Sequence, residues 1–323
     1  MRPRSLPRNL KKMSKRQRDA ICPKTVSMRQ ISSVFVDVCA GDHSVAHYAL
    51  RADANSVMVS FDVIPKHEAL RTVPKHLHHR IAYVQLDVIG LTVDRLAAEV
   101  QKAWHTGLDK VRYLHFSPDC RTLSTATAGG PTVYRMEDGT PNPHMPAHKM
   151  RMVIEHDAAR NRVLQTMASL ATMYPDMIQT AENPVGHFQS QPQVRAMIDS
   201  GDFRLLETHY CACADPALDG TRVWSRKPTH ILLRGGSPNL VLPQCNYDCP
   251  YLIPGTKRHR ACIRLDGKSH PGQVKLVGHE RHTIPAGLFD RVLEPHEMHT
   301  RCGAGSSQVH AMLGASEPPD GEE

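Results

Sequence analysis

A cysteine follows an apolar segment near the middle of the chain. The run VRYLHF, residues 111–116, is typical of a buried strand, and Ser-Pro-Asp-Cys comes directly after it and ends at Cys120. A thiolate placed at the rim of a sheet can act as a nucleophile. A small buried thiol without chemistry is the alternative, because free cysteine is among the most buried residue types. The sequence predicts a nucleophile if other reactive groups reach the same rim.

Four acidic residues lie at or near the ends of other predicted strands. Asp37 lies in SSVFVDVCAG, Asp62 in SVMVSFDVI, Asp87 in IAYVQLDVIG and Glu182 in MIQTAENP. Ligands of parallel sheets collect at the carboxyl ends of the strands, so these residues are expected at one site. Asp62 lies 21 residues beyond Gly41, close to the roughly 20 expected for an acid that holds ribose hydroxyls. Ordinary polar strand ends, or a surface turn for Glu182, are the alternatives.

Strand-like and helix-like segments alternate through residues 31–235. TVDRLAAEVQKAW has helical spacing with Thr92 as its N-cap, and a long helix is predicted over 150–174. RLLETHYCACAD and THILLRGG are typical of two further strands, and TIPAGLFDRVLE of a last helix. The segment 121–149 is rich in Gly, Pro, Thr and Ser, which favours a lid or binding loop. The alternation predicts a mostly parallel sheet with helices on both faces.

Four motifs in this order resemble those of the cytosine-C5 DNA methyltransferases, above all their phage- and virus-type branch. They are DVCAG (37–41), SPDC (117–120), ENP (182–184) and WSRKPTHILL (224–233). The resemblance covers residues 31–235 and a helix near 284–294. It implies a Rossmann-like S-adenosylmethionine-dependent methyltransferase fold with a small irregular lobe. It also implies methyl transfer to C5 of cytosine in DNA through a covalent bond between a cysteine and C6.

The same resemblance implies roles for individual residues. Cys120 would add to C6, Glu182 would hydrogen-bond N3, and a cation from Arg226 or Lys227 would stand near O2. A solvated basic pair is the alternative for Arg226 and Lys227. The positions that match the S-adenosylmethionine site are Asp37, Cys39, Ala40, Gly41, Asp62, Asp87, Ser117 and Pro118.

Several positions depart from the family pattern. Cys39 stands where the family has an aromatic residue, and His43 and Ser44 stand where its turn has little room for side chains. Asp119 replaces a proline and should raise the pKa of Cys120 unless it points away. His230 occupies the place of a cation. Two other functions therefore stay open: methylation of cytosine C5 in RNA, and nucleic-acid binding by a relative that has lost its activity.

The excess of positive charge lies at the N-terminus. The formal net charge is +8, and residues 1–18 contain eight Lys or Arg and no acid, so the rest of the chain is balanced. Such an arm can contact nucleic-acid phosphates, and KKMSKRQR can act as a nuclear address in a eukaryotic host. A solvated leader without a role is the alternative. DNA is the expected partner, with RNA as the second choice.

Nine cysteines, and no apolar segment of membrane-spanning length, predict an intracellular protein with reduced thiols and no membrane partner. Cys245, Cys249, Cys262 and His270 could hold a structural zinc ion, with free thiols as the alternative. The expected domains are a basic disordered tail (1–30), a catalytic domain (31–235), an irregular lobe similar in position to a target-recognition region (236–283), a helix packing back on the catalytic domain (284–300) and an acidic disordered tail (301–323). The sequence leaves the oligomeric state open.

Overall fold

A seven-stranded sheet forms the centre of the protein. The computed structural model describes residues 31–124, 133–220, 222–262, 271–276 and 283–293, all of them in a unit that ends at Leu293. The predicted tails, 1–30 and 301–323, lie outside the described residues. The strands of the sheet are β1 (Ser33–Val38), β2 (Ser56–Asp62), β3 (Ile81–Gln85), β4 (Val111–Phe116), β5 (Ile178–Pro184), β6 (Arg204–His209) and β7 (Pro228–Arg234).

The strand order is β3-β2-β1-β4-β5-β7-β6. The pairs β1–β2, β2–β3, β1–β4 and β4–β5 are parallel, whereas β7 runs antiparallel to both of its neighbours. The carboxyl ends of β1 to β5 and the amino end of β7 therefore lie at the same edge.

Helices cover both faces of this sheet. They are α1 (Ser44–Ala52), α2 (Lys66–Ala69), α3 (Val93–Trp104), α4 (Ala147–Met173), α5 (Pro192–Asp199), α6 (Tyr210–Cys213), α7 (Pro216–Asp219) and α8 (Ala286–Leu293). One core cluster joins Leu96 of α3 and Met167 of α4 to the sheet. A second cluster joins Val45 of α1 and Leu288 of α8 to it. The predicted fold class is confirmed: this is a Rossmann-like fold of the S-adenosylmethionine-dependent methyltransferase type.

The central strand β1 shows why the sheet is buried on both faces. Val34, Val36 and Val38 belong to the first core cluster, while Phe35 belongs to the second. Alternate residues of a strand point to opposite faces, so Asp37 shares the face of Phe35. A single charged residue thus interrupts an otherwise apolar strand next to the turn that begins α1.

The helical predictions differ from the structure mainly at the ends and in the short elements. Thr92 caps α3 by accepting a hydrogen bond from the Arg95 amide at 3.1 Å, as predicted. The predicted strand RLLETHYCACAD ends at His209 and continues as α6, because Tyr210 and Cys211 turn inward and become buried. Helix α5 was not predicted, since it has only eight residues and begins at a proline.

The described residues between β7 and the last helix contain little regular structure. Their strands are β8 (Ala261–Cys262) and β9 (Val274–Lys275), which pair in parallel. Helix α8 packs near α1, where the Tyr48 hydroxyl donates to Asp290 at 3.0 Å. No helix in the described ranges is long and apolar enough to cross a membrane.

Candidate active site

A cavity of about 980 Å³ opens at the carboxyl edge of the sheet. Most of the residues predicted from the sequence line it together. They are Asp37, Cys39, Ala40, Gly41, Asp62, Asp87, Ser117, Pro118, Cys120, Glu182 and Lys227. They come from five strand ends and from the amino end of the reversed strand, so the sheet topology brings them together. Arg226 is not among the lining residues.

Cys120 follows β4 and is half-buried at the cavity wall. Burial raises the pKa of its thiol to about 11. The Lys227 ammonium acts in the opposite direction and lowers this pKa, whereas the carboxylates of Glu182 and Asp119 raise it. The group is therefore a thiol at neutral pH, and a nearby cation is available to stabilise the thiolate once it forms.

Asp119 has partners of its own beside Cys120. Its carboxylate accepts a hydrogen bond from the Arg121 amide at 2.8 Å and forms an ion pair with the Arg121 side chain at 3.5 Å, while His156 Nε2 lies 3.8 Å away. The predicted rise in the pKa of Cys120 is present, but Asp119 contributes less to it than burial and Glu182 do.

Glu182 is the most heavily bonded acid of the cavity. Oε2 accepts from the Ser117 hydroxyl at 2.9 Å, and Oε1 accepts from the Tyr210 hydroxyl at 2.7 Å and from Lys227 Nζ at 3.3 Å. Burial alone would raise the pKa of this carboxyl, but Lys227 and the two hydroxyl donors outweigh burial and lower it. Glu182 is thus held ionised, with its carboxylate fixed in position.

Lys227 reaches the site because β7 runs opposite to β5. Pro184, at the end of β5, pairs with Thr229 near the start of β7, so Lys227 lies just past the end of β5 and its side chain reaches back to Glu182. Lys227 also stands over the Tyr210 ring, 4.5 Å from its centroid. Arg226 turns the other way, where it donates to the Tyr247 hydroxyl at 2.7 Å. Of the two predicted cations, only Lys227 contacts Glu182.

Two buried residues beside Glu182 escaped the sequence prediction. Tyr210 begins α6, and its neighbour Cys211 drew attention only as part of a predicted strand. His115 of β4 lines the cavity and bonds Thr180 through Nδ1 at 2.8 Å, while its Nε2 has no hydrogen-bond partner among the described residues. Burial lowers the pKa of His115 to about 4, so this imidazole is neutral. Its place in LHFSPDC, five residues before Cys120, was the available signal.

The turn between β1 and α1 has the backbone of a ligand cradle. Cys39 and Gly41 have φ values of 58° and 47°, and the Gly41 amide donates to Asp62 Oδ2 at 2.9 Å. A Cβ placed on Gly41 would meet only the Cys39 carbonyl oxygen, at 3.9 Å. The space in front of Gly41 therefore faces the cavity, and Asp62 fixes the turn that leaves it open.

His43 and Ser44 fit the turn because their side chains are used inside the protein. His43 is fully buried, lies 6.0 Å from the Tyr83 ring and does not line the cavity. Ser44 Oγ accepts a hydrogen bond from the Ile284 amide at 2.9 Å. The expected crowding of the turn by these two side chains is wrong for His43, because the left-handed backbone at this residue turns its ring inward.

The lining residues fit S-adenosylmethionine. Asp37 is 1 % exposed, and its Oδ2 has no partner in the described part of the chain, although the residue lines the cavity. Val63 and Ile89 expose 58 % and 45 % of their surfaces at the same cavity. An orphaned carboxylate oxygen suits an ammonium group, exposed aliphatic side chains suit the faces of a purine ring, and Asp62 suits ribose hydroxyls.

A second cluster lies outside the cavity. Ligand atoms of Cys211, Cys245, Cys249 and His259 lie within 4.8 Å of one another. The sequence prediction contained Cys245 and Cys249 but neither of the other two. His270 and the side chain of Cys262 lie outside the described residues. Cys211 was missed because it is far from Cys245 in the sequence. The sequence feature that could have indicated it is the pair of cysteines in HYCAC.

Comparisons with known proteins do not assign this chain to a family. No protein-family model matches the chain, and no curated protein sequence shows significant similarity. Among solved structures, the Schizosaccharomyces pombe Dnmt2 methyltransferase aligns with 13 % identity and a TM-score of 0.37, over 65 % of this chain and 52 % of that one. The chain thus spans about half of that protein.

Two further structures align at a similar level. An antibiotic-related methyltransferase has 12 % identity and a TM-score of 0.34 over 64 % of this chain and 90 % of its own. The precorrin-6y C5,15-methyltransferase of Geobacter metallireducens has 8 % identity and a TM-score of 0.33 over 72 % and 94 %. At this level of likeness the function has to be inferred from the site itself.

Proposed function

We propose that this chain is a methyltransferase that modifies C5 of cytosine in DNA through a covalent bond between Cys120 and C6 of the base. One observation carries the proposal. Cys120, Glu182 and Lys227 line the same cavity as the turn at Gly41 and the acid Asp62. A nucleophile with a fixed acid and a cation thus shares its cavity with a cradle suited to a nucleoside.

The protein side of the reaction follows from these contacts. C5 of cytosine is a poor nucleophile until the Cys120 thiolate adds to C6 and makes C5 enamine-like. Lys227 favours the thiolate because it lowers the pKa of Cys120. When bound, S-adenosylmethionine would supply an electrophilic methyl group. Once C5 carries the methyl group, its proton passes to a solvent base and the bond between Cys120 and C6 breaks, which restores the aromatic base and the Cys120 thiolate.

Glu182 would hold the N3 edge of the base. Three donors fix its carboxylate from Ser117, Tyr210 and Lys227. Because the pKa of Glu182 is lowered, the carboxyl has to take up one proton from solvent before it can donate to N3, and burial of this edge by the base favours that uptake. A base can reach this buried edge only after it leaves the helical stack.

Charge supports a nucleic-acid substrate. The formal net charge is +8, and the surplus is carried by the N-terminal segment, which is suited to contact phosphates without reading sequence. RNA presents the same phosphates and the same cytosine ring. A chain that binds nucleic acid without turnover would share these charges but would not need Glu182 to be held in place.

Methyl transfer from radiolabelled S-adenosylmethionine tests the proposal. We expect label in cytosine of duplex DNA, with Glu182→Gln at least about 100-fold slower because the acid contact to N3 is lost. Glu207→Gln is the matched control, since Glu207 is an exposed acid of β6, which β7 separates from β5. Label that appears in RNA alone would show that the substrate is RNA and not DNA. Binding of DNA and of cofactor without any transfer would overturn the enzymatic proposal.

A further inference from the structure

We propose that the protein holds a structural zinc ion between Cys211, Cys245, Cys249 and His259. The four ligand atoms lie within 4.8 Å of one another. This inference rests on the positions of the four side chains and does not depend on the proposed methyl transfer.

The distances fit a tetrahedral site. His259 Nε2 lies 3.3 Å from Cys211 Sγ, 3.4 Å from Cys245 Sγ and 3.2 Å from Cys249 Sγ. Zinc bonds of about 2.3 Å to sulfur and about 2.0 Å to nitrogen place these corners of a tetrahedron roughly 3.5 Å apart. One nitrogen at nearly equal distance from three sulfurs is the arrangement expected around a single ion. An iron–sulfur cluster would put several atoms between the ligands and hold them farther apart.

The chain is folded to bring these ligands together. Tyr247, between Cys245 and Cys249, has a φ of 63°, which closes the tight turn that carries both sulfurs. His259 is presented by a loop in which the Ile253 amide donates to the Arg258 carbonyl at 2.8 Å and the Arg260 amide donates to the Tyr251 carbonyl at 2.7 Å. Gln273 Nε2 donates to the His259 carbonyl at 2.8 Å. The backbone thus positions Cys245, Cys249 and His259.

The segment between β7 and β8, which carries three of the four ligands, has few other sources of folding stability. Between β7 and β8 the described residues form no helix or strand of the main sheet, and short irregular segments rarely bury enough apolar surface to order themselves. Cys245 is 1 % exposed, Cys211 is 2 % exposed and His259 is 6 % exposed. Two buried cysteines and the half-buried Cys249 thus surround one buried imidazole and provide four possible ligands. Metal binding would supply the missing folding free energy.

The ion would also connect this segment to the candidate active site. Cys211 follows Tyr210 in α6, and the Tyr210 hydroxyl donates to Glu182. Fixing Cys211 therefore fixes the backbone of the residue that positions Glu182. A catalytic acid would be held partly by a metal site on the other side of α6.

Metal analysis of the full-length protein tests the site. We expect one zinc per chain after purification without added metal. Cobalt should replace it and give the absorption of a tetrahedral site with strong thiolate-to-cobalt bands. Cys249→Ala should lose most of the bound metal. Cys213→Ala is the matched control, because Cys213 is a buried thiol of α6 that contacts Thr208 instead of His259, and it should keep its zinc.

A second variant separates the proposed ligand set from the one suggested by sequence spacing. The double change Cys262→Ala and His270→Ala should leave zinc content and the cobalt spectrum unchanged. Loss of the metal in that variant would overturn the assignment. A wild-type protein that is folded but contains no metal would also overturn the assignment. The same holds if Cys211, Cys245 and Cys249 do not react as free thiols after the metal is removed with a chelator. If Cys249→Ala does not fold, the cobalt spectrum of the wild type still decides, since an octahedral spectrum contradicts the site.

Discussion

Lys227 Nζ lies 3.3 Å from Oε1 of Glu182, and the two side chains are 8 % and 5 % exposed. This buried ion pair joins the amino end of the reversed strand β7 to the carboxyl end of β5. It holds the acid in its ionised form and places a cation where it also lowers the pKa of Cys120. A single lysine thus acts on both groups to which chemistry is assigned.

Removing that lysine should make stability depend on pH. In Lys227→Met the cation is lost while the stem is kept, so burial raises the pKa of Glu182. Above the raised pKa the carboxylate is buried without its cation, and below it the carboxyl takes up a proton. We expect the free energy of unfolding to fall by about 3 kcal/mol at pH 8 and by less at pH 5, measured by urea denaturation. Lys75→Met, at an exposed lysine, is the control; an equal loss at both pH values would contradict the pairing.

The Cys120 thiol should react as a weakly acidic group in the protein without added substrate. Its pKa is raised to about 11, chiefly by burial, so the thiolate fraction grows about tenfold with each pH unit well below that value. We expect the rate of alkylation by iodoacetamide at Cys120, followed by peptide mass spectrometry, to rise about tenfold per unit between pH 7 and pH 9. A plateau in this range would show that the thiolate is already formed.

Asp37 should lower the free energy of unfolding of the wild-type protein as the pH rises. Burial raises its pKa, and Asp62 raises it further, so an ionised Asp37 costs stability above the ordinary pKa of an aspartate. The free energy of unfolding of Asp37→Asn, relative to wild type, should therefore increase between pH 4.5 and pH 7, by about 1 kcal/mol or more. Urea denaturation at the two pH values measures this difference. A relative stability that does not change with pH would contradict the buried, unpaired carboxyl.

Asp62 should matter for binding of the cofactor product. Its carboxylate holds the Gly41 amide and has further lone pairs toward the cavity. We expect Asp62→Asn to weaken the binding of S-adenosylhomocysteine roughly tenfold or more, because a hydrogen bond to a charged group contributes about 1.5–3 kcal/mol. Isothermal titration calorimetry checks this against Asp94→Asn, at an exposed acid in the first turn of α3. If both changes weaken the binding of S-adenosylhomocysteine equally, Asp62 is not part of the proposed site.

The sequence could predict the acids and the cysteine of the cavity because their positions follow from strand ends. Asp37, Asp62, Asp87, Cys120 and Glu182 each lie at or just after the end of a parallel strand, and parallel strands bring their ends to one edge. The contact of Lys227 with Glu182 depends instead on the reversal of β7, which an apolar run of residues does not reveal. Arg226 and Lys227 therefore looked equivalent until the direction of β7 was known.

The second cluster shows a different limit. Local spacing suggested Cys262 and His270 as partners of Cys245 and Cys249, whereas the described ligand atoms near them belong to Cys211 and His259. Cys211 comes from the other side of β7 in the sequence, and only the packing of α6 against the following segment brings it near. The inward rotation of His43 likewise depends on a left-handed backbone that its residue type does not favour.

Covalent trapping tests the central claim most directly. Duplex DNA containing 5-fluorocytosine should form a stable complex with the wild-type chain in the presence of S-adenosylmethionine, since fluorine at C5 prevents release of the cysteine. We expect a complex that survives denaturing electrophoresis, maps to Cys120 by mass spectrometry and is absent in Cys120→Ala, with Cys213→Ala as the control. A complex that persists in Cys120→Ala, or a wild-type chain that methylates cytosine without forming one, would contradict the account.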